Sequence, residues 1–356
     1  EARNEVDFWL RLRDGDGYGH GLTCPSREHV FYQAGATPVA AWANAANAAM
    51  LADCFRIAGR DDLSREYLVH AVRAWEYADG LADRGLTLVQ DVGGVGMRGA
   101  DFRMTAAAFL FNLTGDRRYE DAVGEHSLVR SDVDDIVQKP GGQLWATAGW
   151  LLSPRAVRDS GLRERMRRAV LRYAAEKEVA LAARRPSRRS SNEEEGYFHP
   201  AQNVQRTLLA HRISEDAAER ERLLAALVRE ADWGLGRNPL NMIQMTTATT
   251  PLAKMRSVEN AYTSGRNDGT PGLHPGHTPY FNMDDWGGEK GMIMSRPRWM
   301  TRNNHPTFEA WPRGETCFNT RWVWAHTEFT PQQTMRGKFA LYGYLDGIAK
   351  RGRPST

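Results

Sequence analysis

The residues best equipped for chemistry crowd into one stretch, Trp233 to Tyr344. It holds a lone carboxylate, Glu315, with Trp311, Phe318 and Trp322 close by in sequence, and a set of side chains rich in donors and acceptors: Arg256, Asn260, Tyr262, Arg266, Asp268, His274 and His277. A carboxyl group among aromatic rings loses water, and its pKa rises toward neutrality. His274 and His277 stand three apart with Asp284 and Asp285 nearby, which raises the question of a metal. Pro275 and Gly276 lie between them and prevent a shared helix face, so no metal is expected there.

Three other patterns carry less. Gly94, Gly96 and Gly99 match G-x-G-x-x-G, but the segments that follow have helical rhythm instead of the alternating strands of a dinucleotide fold. That run is read as a turn between two helices. Cys24, Cys54 and Cys317 are scattered, with neither a disulfide framework nor a zinc spacing. The 356 residues carry 47 basic against 44 acidic side chains, a net charge of +3 that gives no electrostatic case for nucleic acid. No apolar run reaches the length of a membrane span. No cofactor is expected.

The elements that must hold these residues are almost all helices. Apolar spacing predicts helices over Glu5–Leu12, Val39–Ala58, a segment capped by Ser64 and running to Asp83, Asp101–Thr114, Arg117–Glu125, Gln143–Leu152, Leu162–Ala183, Ala201–Ile213 and Ala217–Trp233. A closing helix follows Thr330-Pro331 and reaches Ile348. Gly115-Asp116, Pro140-Gly141-Gly142 and Pro154 supply breaks. Between Leu240 and Thr330 helical rhythm fades while Gly, Pro and aromatic residues are dense, the signature of an ordered, site-building loop. No composition break marks a linker, so a single domain over residues 1–356 is expected.

The order of these features resembles the catalytic domain of glycoside hydrolase family nine. A helix ending in L-G-R-N-P (235–239), a long loop, a Glu before a short aromatic segment and a terminal helix are similar to that family's C-terminal half. Thr37-Pro38 before an Ala-rich helix, L-T-G-D at 113–116 and an Asn203-bearing helix fall in the family's order upstream. The resemblance implies an all-α fold, the (α/α)6 barrel, and a secreted or periplasmic hydrolase that cleaves β-glycosidic bonds of a glucan-like chain with inversion. It implies Glu315 as general acid and a carbohydrate as partner. Arg256, Asn260, Tyr262, Arg266, Asp268, His274, His277 and Trp311 then become substrate-binding candidates, joined by His29 and Tyr32 of the run Glu28 to Tyr32. Arg forks and neutral imidazoles bond sugar hydroxyls, and aromatic faces stack on pyranose rings.

The chain also departs from the family pattern. Gly314 replaces the Asn that usually precedes the acid, and Phe102 and Arg103 stand where cleft tryptophans are usual, which argues against long crystalline cellulose. The family's D-A-G-D-type motif, which carries the base, is not found; Asp14 and Asp16 follow the helix that the motif should precede and read as turn residues. By that order the base is expected upstream of Glu1, with the barrel's first helices. Two alternatives stay open: a glycan-binding (α/α)6 protein without turnover, and another (α/α)6 sugar enzyme, an epimerase or lyase with His or Tyr as base.

Pro239 forbids continued helix and pushes Asn238 out of helical geometry, so it sets where the loop launches. Pro239→Ala is expected to raise KM while leaving the unfolding temperature nearly unchanged; an unaltered KM would show that the launch does not depend on it.

Overall fold

In the computed structural model the described residues are 2–12, 17–18, 35–85, 88–92, 95–130, 142–185, 188–189, 200–238, 241, 243, 245, 305 and 339–351. They fall into two compact units, Glu1–Ala169 and Val170–Thr356.

Three helices of the first unit are poor in polar residues over most of their surface: α2 (Pro38–Ile57), α4 (Gly99–Thr114) and α6 (Leu144–Leu151). Their alanines explain how closely they pack. Ala41, Ala45, Ala48, Ala49 and Ala52 of α2 and Ala106, Ala107 and Ala108 of α4 are buried, and each shortens the distance at which a neighbouring helix can lie. The amphipathic helices α1 (Ala2–Arg11), α3 (Asp61–Asp83) and α5 (Arg117–His126) cover this layer. On α1 the apolar face divides: Val6 and Leu10 are buried, whereas Phe8 and Trp9 stay exposed.

Helix direction follows from side-chain contacts. Trp42, early in α2, donates its indole N–H to Asp79 late in α3 at 2.9 Å, while Phe55 late in α2 stacks on Tyr67 early in α3. The two are therefore antiparallel. Arg103 reaches Glu125 at 3.2 Å and Arg117 lies over Phe111, which makes α4 and α5 antiparallel as well. Gln143 meets Asp101 at one end and Phe111 meets Trp150 at the other, so the inner helices α4 and α6 run parallel.

The caps are mostly those foreseen. Thr37 accepts from the Ala40 N–H at 3.1 Å ahead of Pro38, Gly59 and Gly115 take left-handed geometry after α2 and α4, and Asp116 accepts from Arg118 N–H. Ser64 does not cap α3. That helix begins a turn earlier, and Asp61 and Asp62 supply the negative charge that its N-terminus favours, with Ser64 buried inside it. The glycine run is likewise no simple turn: β1 (Val89–Val92) and β2 (Val95–Arg98) form an antiparallel hairpin before α4. Gly99 is required by packing, because a Cβ there would sit 2.7 Å from the Trp42 ring.

The helix foreseen over Leu162–Ala183, which begins in the first unit and ends in the second, is interrupted. α7 (Ser160–Tyr173) passes into a π-helical segment (Ala174–Val179) and then α8 (Ala180–Arg184). α9 (Pro200–Ile213) and α10 (Ala217–Gly234) follow, and α11 (Ala340–Arg351) packs Leu341 against Val204, Leu227 and Ala231. The closing helix extends past Ile348 to Arg351; its expected start after Pro331 lies outside the described residues.

Gly99→Ala is expected to destabilise by about 1–3 kcal/mol through overpacking against Trp42. Gly80, inside α3 with open space around its missing side chain, should behave oppositely: Gly80→Ala stabilises by roughly 0.5–1 kcal/mol. Denaturant unfolding of the two variants checks both signs.

Candidate functional site

Short and long connections alternate along the chain. The turns at 58–60, 115–116 and 214–216 are tight, and 152–159 is compact; the stretches 12–37, 84–98, 127–143, 185–199 and 235–339 between described helices are long in sequence, and many of their residues lie outside the described ones. In the first unit the starts of α2, α4 and α6 and the ends of α3 and α5 therefore share one end. Functional residues concentrate on loops carried by a rigid scaffold, so this end is the candidate site.

In the first unit that end carries a polar network. Arg103 donates to Asp79 at 3.1 Å and lies 4.8 Å over the Trp75 ring; its Nη1 also meets Glu125 Oε2 at 3.2 Å and His126 Nε2 at 2.6 Å. Burial, with Arg103 beside it, lowers the His126 pKa, so the ring is neutral at pH 7 and its Nε2 accepts from the guanidinium. Gln143, just before α6, donates to Asp101 Oδ1 at 2.9 Å and to the His126 carbonyl at 2.8 Å, and accepts from Leu128 N–H at 2.8 Å. One buried amide thereby ties the starts of α4 and α6 to the end of α5. Burial raises the Asp101 pKa against the opposing pull of Gln143 and Arg98. Two residues past Gln143, Trp145 leaves 46% of its surface exposed, in contrast to the buried Trp42, Trp75 and Trp150.

In the second unit a polar cluster forms around Trp233 at the end of α10. Arg189, from the 185–199 connection, donates through Nε and Nη2 to Glu230 Oε1 at 3.1 and 3.0 Å, and both residues are buried. Arg189 and Arg237 each lie against the Trp233 ring, at 5.4 and 5.7 Å. Past the end of α10 the chain folds back: Arg237 N–H donates to the Asp232 carbonyl at 2.9 Å, and Asn238 donates its side-chain amide to the Trp233 carbonyl at 2.8 Å. Gly236 supplies positive φ, and Leu235 bridges to Ile243. The L-G-R-N segment thus stops the helix as foreseen, while Pro239 lies outside the described residues.

A buried carboxyl in the π-helical segment escaped the sequence reading. Glu178 Oε2 accepts from Thr207 N–H at 3.0 Å and from the Thr207 hydroxyl, with Arg206 3.6 Å from Oε1. Complete burial pushes its pKa up to about 8 despite Thr207 and Arg206, with Glu230 adding to the rise.

His29 and Tyr32 fall in 12–37; Arg256, Asn260, Tyr262, Arg266, Asp268, His274, His277, Trp311 and Glu315 fall in 235–339. Every one of them is outside the described residues, as are Asp14, Asp16, Asp284 and Asp285. Among the described residues no group of three His, Cys, Asp or Glu side chains has the arrangement to hold a metal ion. No helix of the described residues is long and apolar enough to cross a membrane. The network around Arg103, Gln143 and His126 was not foreseen. Its one signal in the sequence was the polar pair Gln143 and Asp101, each at the start of an apolar helix.

Comparison with known proteins agrees with this architecture. The sequence profile of "Glycosyl hydrolase family 9" matches residues 4–276. No curated protein sequence matches. Among solved structures, a thermostable endoglucanase from Alicyclobacillus acidocaldarius superimposes with a TM-score of 0.70 at 16% identity, over 97% of this chain and 64% of that one. A GH9 protein of Bacteroides ovatus gives 0.68 at 16% identity, over 97% and 62%. The enzyme AaCel9A, solved in complex with a cellobiose-like isofagomine, gives 0.67 at 16% identity, over 97% and 64%. The chain therefore spans less than two thirds of the length of these structures. At such identities the likeness shows the fold, the all-α (α/α)6 barrel.

Glu178 makes stability depend on pH with a definite sign. Between its ordinary value of 4.5 and the folded value of about 8, the native state holds a proton that the unfolded state releases, so stability falls as pH rises through that window. Glu178→Gln is expected to flatten this slope and to raise the unfolding temperature at pH 8.5 relative to the parent. An unchanged slope between pH 5 and 8 would mean that the carboxyl is charged in the fold.

Proposed function

The chain belongs to glycosyl hydrolase family 9, and from that premise we propose that it hydrolyses β-glycosidic bonds of a glucan-like poly- or oligosaccharide by an inverting acid–base mechanism. The observation that carries this reading is the match of the family profile over residues 4–276, together with the family order of the motifs in the sequence.

On this reading Glu315 protonates the leaving glycosidic oxygen. Inversion then needs a second carboxylate, about 6.5–9.5 Å away, to activate water on the opposite face. In the family that carboxylate belongs to the D-A-G-D-type motif, which residues 1–356 do not contain. Arg256, Arg266, Asn260, Asp268, His274 and His277 bond hydroxyls along the chain, while Tyr262, Trp311, Tyr32 and His29 line it with ring faces. AaCel9A, captured with a cellobiose-like isofagomine, is a same-fold precedent for a disaccharide-like ligand. A polymeric substrate does not cross membranes, which supports a secreted or periplasmic place of action. Residues 1–356 are read as part of one catalytic domain.

Glu315→Gln in the full-length protein, assayed on soluble β-glucan by reducing-sugar release, is expected to lower turnover by at least ~10²-fold with the fold intact. The anomer first released, read by NMR, is expected to be inverted. Near-normal hydrolysis by the folded variant would exclude Glu315 as the acid. A parent protein that binds glucan without cleaving it would favour the binding-protein alternative.

A further inference from the structure

We propose that the contact between Arg103 and His126 is an acid-operated latch between the start of α4 and the end of α5, closed while the imidazole is neutral and opened when it takes up a second proton. The contact leaves no choice of donor. A guanidinium has no lone pair to offer, so at 2.6 Å its Nη1–H donates and His126 Nε2 accepts, which places the single ring proton on Nδ1. A proton on Nε2 turns that acceptor into a donor and sets two cations against each other at hydrogen-bond distance. The contact then cannot survive.

Both partners have another place to go. Arg103 keeps Asp79 through Nε and Nη2, at 3.1 and 3.4 Å, and stays over the Trp75 ring. His126 Nε2 lies 3.8 Å from Glu125 Oε2, the oxygen that Arg103 holds at 3.2 Å in the neutral state. Protonation thus passes Glu125 from the guanidinium to the imidazolium, and α4 loses both of its Arg103 bonds to α5. Charges of both signs face the ring. Burial and Arg103 of α4 oppose the charged form, while Glu125, Asp79 of α3, Asp101 of α4 and the C-terminus of α5 favour it. Arg98, 3.7 Å from Asp101, offsets part of that carboxylate's pull. Gln143 carries no charge and is the second tie: it holds the His126 carbonyl and the Leu128 N–H in either state. The change is therefore confined to these side chains and the last turn of α5. No step of it depends on the hydrolase reading, and no glycan is needed to observe it.

The test follows the His126 ring signal by NMR from about pH 5 to 8 in the full-length protein with isotope-labelled histidine, the signal being the one absent from His126→Gln. The same titration is run on Arg103→Gln, in which Asp79 keeps the Trp42 indole as a donor. The expected midpoint lies below the ordinary 6.5 in the parent, and it rises by about 1 pH unit or more once the guanidinium is gone. In parallel, amide exchange is read at Ser127 and Val129, whose N–H groups bond the Val123 carbonyl and the Ser127 hydroxyl, after correction for the intrinsic effect of pH. Protonation is expected to quicken it about 5-fold in the parent, the weight of one net hydrogen bond. His126→Gln, whose amide oxygen accepts from Arg103 at any pH, is expected to show no such change. A midpoint that stays put without Arg103 would overturn the proposal, and so would exchange equally sensitive to acid in His126→Gln.

Discussion

A helix enclosed by neighbours on nearly every side can keep polar side chains only at its ends, because a buried polar group without partners is costly. That constraint governs the first unit. Through the middle of α2, α4 and α6 the chain uses mostly Ala, Leu, Met and Phe; among the few polar exceptions Thr105 bonds the Asp101 carbonyl of its own helix and Asn112 bonds across to the Gly149 carbonyl of α6. Trp42, Asp101, Arg103 and Gln143 all lie within the first turns or at the cap. The interior thus sends its chemistry to one end, and that end is where the long connections leave.

The same constraint shapes the electrostatics. His126 is held neutral by burial beside Arg103, Asp101 is pushed toward its protonated form, and Glu178 is pushed further still inside the π-helical segment. Each carries hydrogen-bond partners that fix its orientation. Arg103 alone holds Asp79, Glu125 and His126 against the Trp75 ring, so a single cation organises the mouth of three helices. Within each unit these groups fix the ends of the described helices.

Much of this frame was legible in the sequence because its causes are local. Thr37-Pro38 announced the start of α2, Gly115 the end of α4, and the Ala-rich runs the enclosed helices. Features set by distant neighbours were not legible. Ser64 looks like a cap, yet Asp61 and Asp62 serve the helix start better. Gly99 looked like part of a turn between two helices, and only the Trp42 ring explains it. The π-helical segment around Glu178 has no compositional mark, since it depends on the fit between that carboxyl and Thr207 on α9. Of the candidate site, the sequence yielded residue types whose positions lie outside the described residues. It did not yield Arg189 with Glu230, or Gln143 with Asp101, because these pairs form between residues 41 and 42 positions apart.

The central claim is that glycan is held by the long connections and not by the tight turns. Amide exchange of the full-length protein with and without a soluble β-glucan tests it directly. The account predicts new protection in 12–37, 84–98, 127–143, 185–199 and 235–339, with none at 58–60, 115–116 or 214–216. Protection centred on the tight turns, or none anywhere at saturating glucan, would contradict it.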